Sequence, residues 1–306
     1  MPTDTSVDEF EAQRPVLTGV AYRMLGRVAD AEDVVQEAWL RWSAADRATV
    51  REPRAFLVRI TTRLAIDRLR QVQSRRETYV GPWLPEPVYT EFGEKMPDTA
   101  EQAVLADSVS LAVLVVLESL SPLERAVFVL REAFGFPFAQ IAEILDRTEA
   151  AVRQLAGRAR KHVGERKPRY DVDPVERRTL TEKFLAAAAA GDLDGLIGML
   201  APDARLVGDG GGVTRAPLRV LESADKVGRF LHGVAGQSSQ ELDTFRIAEL
   251  NGGPAVLGLI DGKVAVTMQL DIADGLVQSV YVQRNPAKLE SLTADPDGRS
   301  PEFPDT

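Results

Sequence analysis

Residues 138–163 read FAQIAEILDRTEAAVRQLAGRARKHV, and this stretch decides what kind of chain it is. Ile141, Ala142 and Leu145 recur at helical spacing and place a short helix from Phe138 to Leu145. Asp146-Arg147 make a turn, and Thr148 suits the N-cap of the next helix, where a hydroxyl accepts from an otherwise unpaired backbone N–H. In that last helix Val152, Leu155, Ala156, Ala159 and Val163 form one apolar stripe, while Arg153, Gln154, Gly157, Arg158, Arg160 and Lys161 fall outside it. Arg and Gln can bond base edges bidentately in the major groove, and Arg and Lys neutralise phosphates. A solvated surface helix also carries such charges. The short preceding helix, the tight turn and the small Ala142 at the helix crossing favour a DNA-reading helix-turn-helix.

Upstream, Ser121-Pro122-Leu123-Glu124 has the form of a capping box with proline at the first helical position. The helix it opens runs through Ala126–Leu130 and stops near Gly135. From about Ser74 to Ala106 the chain is rich in proline and aromatics, including Gly81-Pro82-Trp83-Leu84-Pro85-Glu86-Pro87, and reads as an extended linker. Before it, Phe10 to Gln73 is helical in pattern. Asp30 to Trp42 is amphipathic, with Val35, Ala38, Trp39 and Trp42 inward. Asp33, Glu37 and Arg41 line one outer edge, with Gln36 beside them. The acids sit near the helix N-terminus, where the dipole favours them. This face reads either as a well-capped surface or as a docking face for a basic partner. After a loop from Ser43 to Pro53, the helix from Arg54 to about Gln73 places Leu57, Ile60 and Leu64 inward and Arg59, Arg63 and Arg70 on another face. That face is a candidate second DNA contact.

Downstream of Lys167-Pro168-Arg169, Gly-Asp, Asn-Gly-Gly and Asp-Gly turns separate short alternating runs, so strands enter. Helices are expected at Pro174–Ala190, from Asp192 to Leu200, and at Ser223–Val234. Strands are expected at Ala204–Val207, Leu242–Leu250, Ala255–Ile260, Lys263–Asp271 and Leu276–Gln283. Asp209-Gly210-Gly211-Gly212 interrupts the first strand. The tail after Ser291, rich in Pro, Asp and Ser, is expected to be disordered.

The bulk numbers fit this organisation. A chain of 306 residues has room for two or three domains. The net charge of −9 is uneven: from Val172 onward there are 20 acidic and 13 basic residues, against 26 and 24 before it. The front is thus near neutral overall, and local basic patches decide DNA affinity. With no cysteine and only His162 and His232, thiolate and multi-histidine metal sites and a cysteine nucleophile are excluded. No signal peptide and no membrane span are expected, and the absence of cysteine fits a reducing cytoplasm.

The first helical section resembles region 2 of bacterial sigma factors of the extracytoplasmic-function (ECF) group. The resemblance lies in Asp30-Ala31-Glu32-Asp33-Val34-Val35-Gln36-Glu37, Pro53-Arg54-Ala55-Phe56-Leu57-Val58-Arg59-Ile60 and Leu64-Ala65-Ile66-Asp67-Arg68-Leu69-Arg70. The section opened by Leu120-Ser121-Pro122-Leu123-Glu124-Arg125 resembles region 4. The C-terminal part resembles the SnoaL-like cone, an α+β fold with a curved sheet. Trp83-Leu84-Pro85-Glu86-Pro87, Asp209-Gly210-Gly211-Gly212 and Asn285-Pro286-Ala287-Lys288-Leu289 match the subgroup in which that cone is fused to the sigma part, although the nearest arginine after the glycines is Arg215.

The resemblance implies a multidomain chain: region 2 at 1–75, a linker at 76–106, region 4 at 107–166 and the cone at 172–290. It implies that Asp33, Gln36, Glu37 and Arg41 dock on core RNA polymerase, and that the Ser43–Pro53 loop holds a flipped base of the −10 element. Arg59, Arg63 and Arg70 would bind nearby DNA. Arg153, Gln154 and Arg158, with Arg160 and Lys161, would bind the −35 element. Trp83, Pro85, Asp209, Gly210, Gly211, Gly212, Asn285 and Pro286 would carry a regulatory contact between the cone and region 2 or the linker. No cofactor or metal is implied. Two other classes stay open. One is a polymerase-independent helix-turn-helix regulator with a ligand pocket in the cone. The other is a cone enzyme, for which His232, Asp209, Asp261 and Asp271 are the candidate acids and base.

Overall fold

The computed structural model describes residues 5–46, 50–76, 78–89, 110–164 and 173–292. They form two compact units. One contains the chain up to residue 78 and from 113 to the end of the helix-turn-helix. The other contains, among the described residues, 79–89, 110–112 and 173–292. Part of the linker, residues 90–109, lies outside the described residues, as do 47–49 of the loop and the tail from 293.

The first unit is all helix: α1 (Thr5–Leu25), α2 (Val28–Ser43), α3 (Pro53–Arg76), α4 (Leu111–Leu117), α5 (Pro122–Phe128), α6 (Phe138–Leu145) and α7 (Glu149–Gly164). α2 buries Ala31, Val34, Val35, Ala38 and Trp42, the i, i+3, i+4, i+7 stripe of an amphipathic helix. Trp39, expected inward, is only half-buried and meets the edge of Phe10 at 5.0 Å. The core seam of α3 is also rotated from expectation. Leu57, Val58, Thr61, Ala65, Ile66 and Leu69 are buried, and Ile60 and Leu64 are left at its edge. Small residues take the seam where α3 packs against both α1 and α2.

α5 begins in a complete capping box: Ser121 Oγ accepts from Glu124 N–H, and the Glu124 carboxylate accepts from Ser121 N–H. It widens into a π-helical turn at Val129–Ala133 before Gly135, whose φ of 68° suits glycine. Asp146 ends α6 in the left-handed region at φ 54°. Thr148 Oγ1 accepts from Ala151 N–H at 3.2 Å and caps α7.

The second unit is α+β. Helices α8 (Pro174–Ala189), α9 (Leu193–Met199) and α10 (Ala224–Glu241) accompany six strands: β1 (Leu200–Asp209), β2 (Leu221–Glu222), β3 (Thr244–Leu250), β4 (Gly253–Ile260), β5 (Lys263–Ala273) and β6 (Leu276–Gln283). The sheet order is β2-β1-β6-β5-β4-β3, with β1 parallel to β6 and every other pair antiparallel. Register shifts in the β1–β6, β4–β5 and β5–β6 pairs bend the sheet. Phe184, Leu196, Leu206, Val227, Ile272 and Val280 form the core where the helices meet the sheet. A second cluster, Leu250, Ala255, Leu257, Leu259, Leu289 and Leu292, receives Tyr89. Thus part of the segment expected to be only a linker is built into this domain. Strand β2 was not anticipated, and α10 runs seven residues past its expected end at Val234.

Candidate functional site

On α7 the stripe Val152, Leu155, Ala156, Ala159 and Val163 is buried, which fixes the outward direction of every other side chain. Arg153, Gln154, Arg158, Arg160 and Lys161 are exposed, as expected. The arginines are already engaged. Arg153 bonds Glu149 and stacks over the Phe138 ring at 4.6 Å. Arg158 pairs with Glu124 at 3.0 Å, and Arg160 with Glu132 at 2.9 Å. Burial pushes the Glu124 carboxyl up, but the Ser121 hydrogen bonds and the charges of Arg158 and His162 outweigh it and hold the group below the usual carboxylate range.

On α3, Arg59, Arg63 and Arg70 are exposed. Arg59 lies over the Phe56 ring at 5.4 Å, and Arg70 pairs with Asp67. Arg63 donates to the Ile144 carbonyl at 2.9 Å. This bond belongs to a seam where α1 and α3 pack against the helices of the second section. There Arg125, fully buried, donates to the Arg23 carbonyl and pairs with Glu118 at 2.7 Å. Arg23 stacks over Phe134, and burial brings it down to about 10.

On α2, Asp33 and Gln36 are exposed and Glu37 is half-exposed. Glu37 bonds Arg41 at 3.0 Å. Leu40, beside them, is 55% exposed, an apolar side chain that the charge pattern had hidden.

The third cluster is the most completely built. Asp209, at the end of β1, is fully buried. Its Oδ2 accepts from Lys288 Nζ at 2.6 Å and from Leu84 N–H at 2.9 Å, and its Oδ1 from Tyr79 O–H at 2.5 Å and Gly211 N–H at 3.0 Å. Lys288, 2% exposed, also donates to the Leu84 carbonyl at 2.6 Å and sits 4.0 Å from the centre of the Trp83 ring. Gln283 Nε2 reaches the Pro85 carbonyl at 3.4 Å, and Asn285 Nδ2 donates to Tyr79 Oη at 2.8 Å. Further along, Ser291 Oγ donates to Glu86, Asn251 N–H to the Val88 carbonyl, and Tyr89 O–H to the Leu292 carbonyl. Residues 79–89 thus lie in a seat made by β1, the β3–β4 turn, β6 and the two 3-10 turns Pro286–Lys288 and Glu290–Leu292.

The glycines serve this seat. At Gly211, with φ 62°, a Cβ would fall 2.5 Å from the Asn285 amide, and at Gly212 a Cβ would touch Val80 at 3.0 Å. Pro286 starts the turn that carries Lys288, and its carbonyl accepts from the Leu289 N–H at 3.0 Å. Tyr79, Gln283 and Lys288 were missed as site residues. Lys288 stood inside the Asn285–Leu289 motif, and its signal was a lysine that would be buried.

The candidate catalytic acids do not share a site in this way. Asp209 is consumed by the seat. Asp261 occupies the β4–β5 turn at φ 49°, and His232 is exposed on α10. Asp271 is largely buried on β5, and desolvation, partly countered by Arg177, raises it to about 6. Among the described residues no group of His, Asp and Glu could hold a metal ion, and no helix is long and apolar enough to cross a membrane.

Residues 10–76 match the family model of sigma-70 region 2, and residues 110–163 that of sigma-70 region 4. Over 96% of its length the chain is 41% identical to the ECF RNA polymerase sigma factor SigJ of Mycobacterium tuberculosis, covering 97% of that protein. The chain belongs to the ECF sigma factors. It is also 33% identical to the probable ECF sigma factor SigI of the same species, over 94% of this chain and 95% of that one. The crystal structure of M. tuberculosis SigJ superposes with a TM-score of 0.73 at 38% identity, covering 92% of this chain and 97% of that one. In this ECF sigma factor, then, α1–α3 lie in region 2, α4–α7 in region 4, and the α+β domain is shared with a solved family member.

Proposed function

We propose that this chain directs RNA polymerase to specific promoters and that its C-terminal domain governs it by holding the linker. The observation that carries the second half is the Asp209–Lys288 seat, which takes up both the side chains and the backbone of residues 79–89. In this reading Asp33, Gln36, Glu37 and Arg41 dock on the core enzyme, with exposed Leu40 adding an apolar anchor. The α3 arginines bind DNA around the opened −10 element, where trapping an extruded base offsets the few kcal/mol of unstacking. α7 binds the −35 element. The boundaries proposed are 1–75, 107–166 and 172–290, with 79–89 belonging by packing to the last. The seat competes for the linker with anything else the linker must bind during initiation, so release and capture of residues 79–89 are the two regulatory states. Binding and contact, rather than catalysis, account for the residues of the C-terminal domain.

The test is run-off transcription with purified core polymerase, using the full chain and a chain ending before Val172. The full chain is expected to start from a defined promoter and the shortened chain to do so at a different level. Failure of the full chain to bind core or to transcribe refutes the sigma reading. Equal transcription by both refutes the regulatory one.

A further inference from the structure

The face of α7 turned directly away from its buried stripe is not the arginine face. At 100° per residue, the row opposite Val152, Leu155, Ala156, Ala159 and Val163 is Ala150, Gln154, Gly157 and Lys161, all exposed. Arg153 and Arg160 lie on one flank of the row and Arg158 on the other. Each flanking arginine is tied to a carboxylate of its own unit, Glu149, Glu132 and Glu124 respectively. Such a pair is close to neutral as a unit. Its guanidinium is held sideways against α5, the π-helical turn or the start of α7, not along the helix's outward normal.

In the N-terminal half of the row, where groove-reading helices touch base edges, Gln154 is the one long side chain. Ala150 stands one turn before it and Gly157 one turn after. Gly157 has a right-handed backbone and open space where a Cβ would go. Nothing in the fold asks for glycine there, and glycine inside a helix is destabilising relative to alanine.

We infer that Gln154 is the base reader of the upstream element, that it selects adenine, and that Gly157 is kept bare so that the helix can approach the groove. Arg153, Arg158 and Arg160 then position the helix on phosphates. A glutamine amide matches adenine because it can donate to N7 and accept from the N6 amino group at once. A neighbouring thymine methyl fits against the Ala150 methyl. This inference rests on the reading of α7 as the −35 binder and names which of its residues discriminate.

The experiment is run-off transcription by the full chain with core polymerase from a promoter library randomised across the upstream element. It compares wild type, Gln154→Ala, Gly157→Ala, Arg153→Ala and Arg158→Ala. Wild type is expected to prefer adenine at one position by roughly 5- to 150-fold. Gln154→Ala should flatten that position alone, and the arginine variants should weaken all sequences evenly. Gly157→Ala should raise the thermal midpoint of the chain while lowering transcription several-fold. An arginine variant that flattens one position while Gln154→Ala flattens none overturns the inference and leaves the −35 reading standing. Transcription whose upstream sequence preference no α7 variant alters overturns both. A Gly157→Ala chain that is more stable and equally active overturns the role given to Gly157.

Discussion

Replacing Lys288 with methionine should unseat the linker, and the structure sets the size of the effect. The Nζ of Lys288 lies 2.6 Å from Asp209 Oδ2 and 2.6 Å from the Leu84 carbonyl, with both charged residues essentially sealed from water. Breaking a buried ion pair by removing one partner costs about 3–5 kcal/mol, because the other charge stays buried. Asp209 keeps its bonds from Leu84, Tyr79 and Gly211, so Lys288→Met belongs at the low end, about 3 kcal/mol. Asp209→Asn should cost more. It removes the carboxylate charge that faces the buried Lys288 ammonium, beside the Leu84 carbonyl and the Trp83 and Tyr79 rings. The double variant should recover part of the sum, since it buries no unpaired charge.

Thermal unfolding followed by Trp83 fluorescence, closed as a double-mutant cycle, measures this. Hydrogen exchange at the Leu84 and Val88 amides reports the seat directly. About 3 kcal/mol should lower the midpoint by roughly 6–12 °C in a domain of this size. If the two single variants add without coupling, or if Lys288→Met leaves the Leu84 amide as protected as before, the pair is not what holds the linker.

Asp271→Asn should stabilise the C-terminal domain in a pH-dependent way. Burial raises the carboxyl from 3.8 to about 6, so with rising pH the unfolded chain ionises first and stability is lost between about pH 4 and 6. The penalty persists above that window and amounts to at most about 3 kcal/mol. Urea unfolding should show the variant ahead of wild type at pH 7.5 and level with it at pH 4. An equal gain at both pH values would mean that packing, not titration, is responsible. Ser121→Ala removes the capping box at the start of α5 and should cost about 1 kcal/mol of the helical unit's stability. A midpoint unchanged in thermal unfolding would show that the cap is replaceable by water.

The local features of this molecule were open to sequence reasoning because their causes are local. The α7 stripe, the Ser121 cap, the Asp146 turn and the Asp192 cap of α9 each depend on residues a few positions apart. The α3 seam was misplaced because Thr61, Thr62 and Ala65 are buried, and small or hydroxylated residues at a tight crossing carry no apolar signal. The end of α10 was missed because Gly236-Gln237-Ser238-Ser239-Gln240 has no periodicity. The three glycines were expected to contact region 2 or the linker; Gly212 faces Val80 of the linker, while Gly211 makes room for Asn285 of the same domain. The motifs of the seat could be quoted from the sequence, but their mutual contact could not be derived from it. Leu84 meets Asp209 across 125 residues and Lys288 across 204. The commitment of Arg63 to Ile144, 81 residues away, was hidden for the same reason.

That separation gives the seat a place in time. A ribosome adding about 5–20 residues per second delivers Lys288 some 10–40 s after Leu84, since 204 residues lie between them. The promoter-reading helices are complete well before then, and the linker waits without its partner. Translation that stops short of residue 288 therefore yields the sigma regions with residues 79–89 lacking their Lys288 partner. On the regulatory reading proposed above, control of this factor depends on translation passing residue 288.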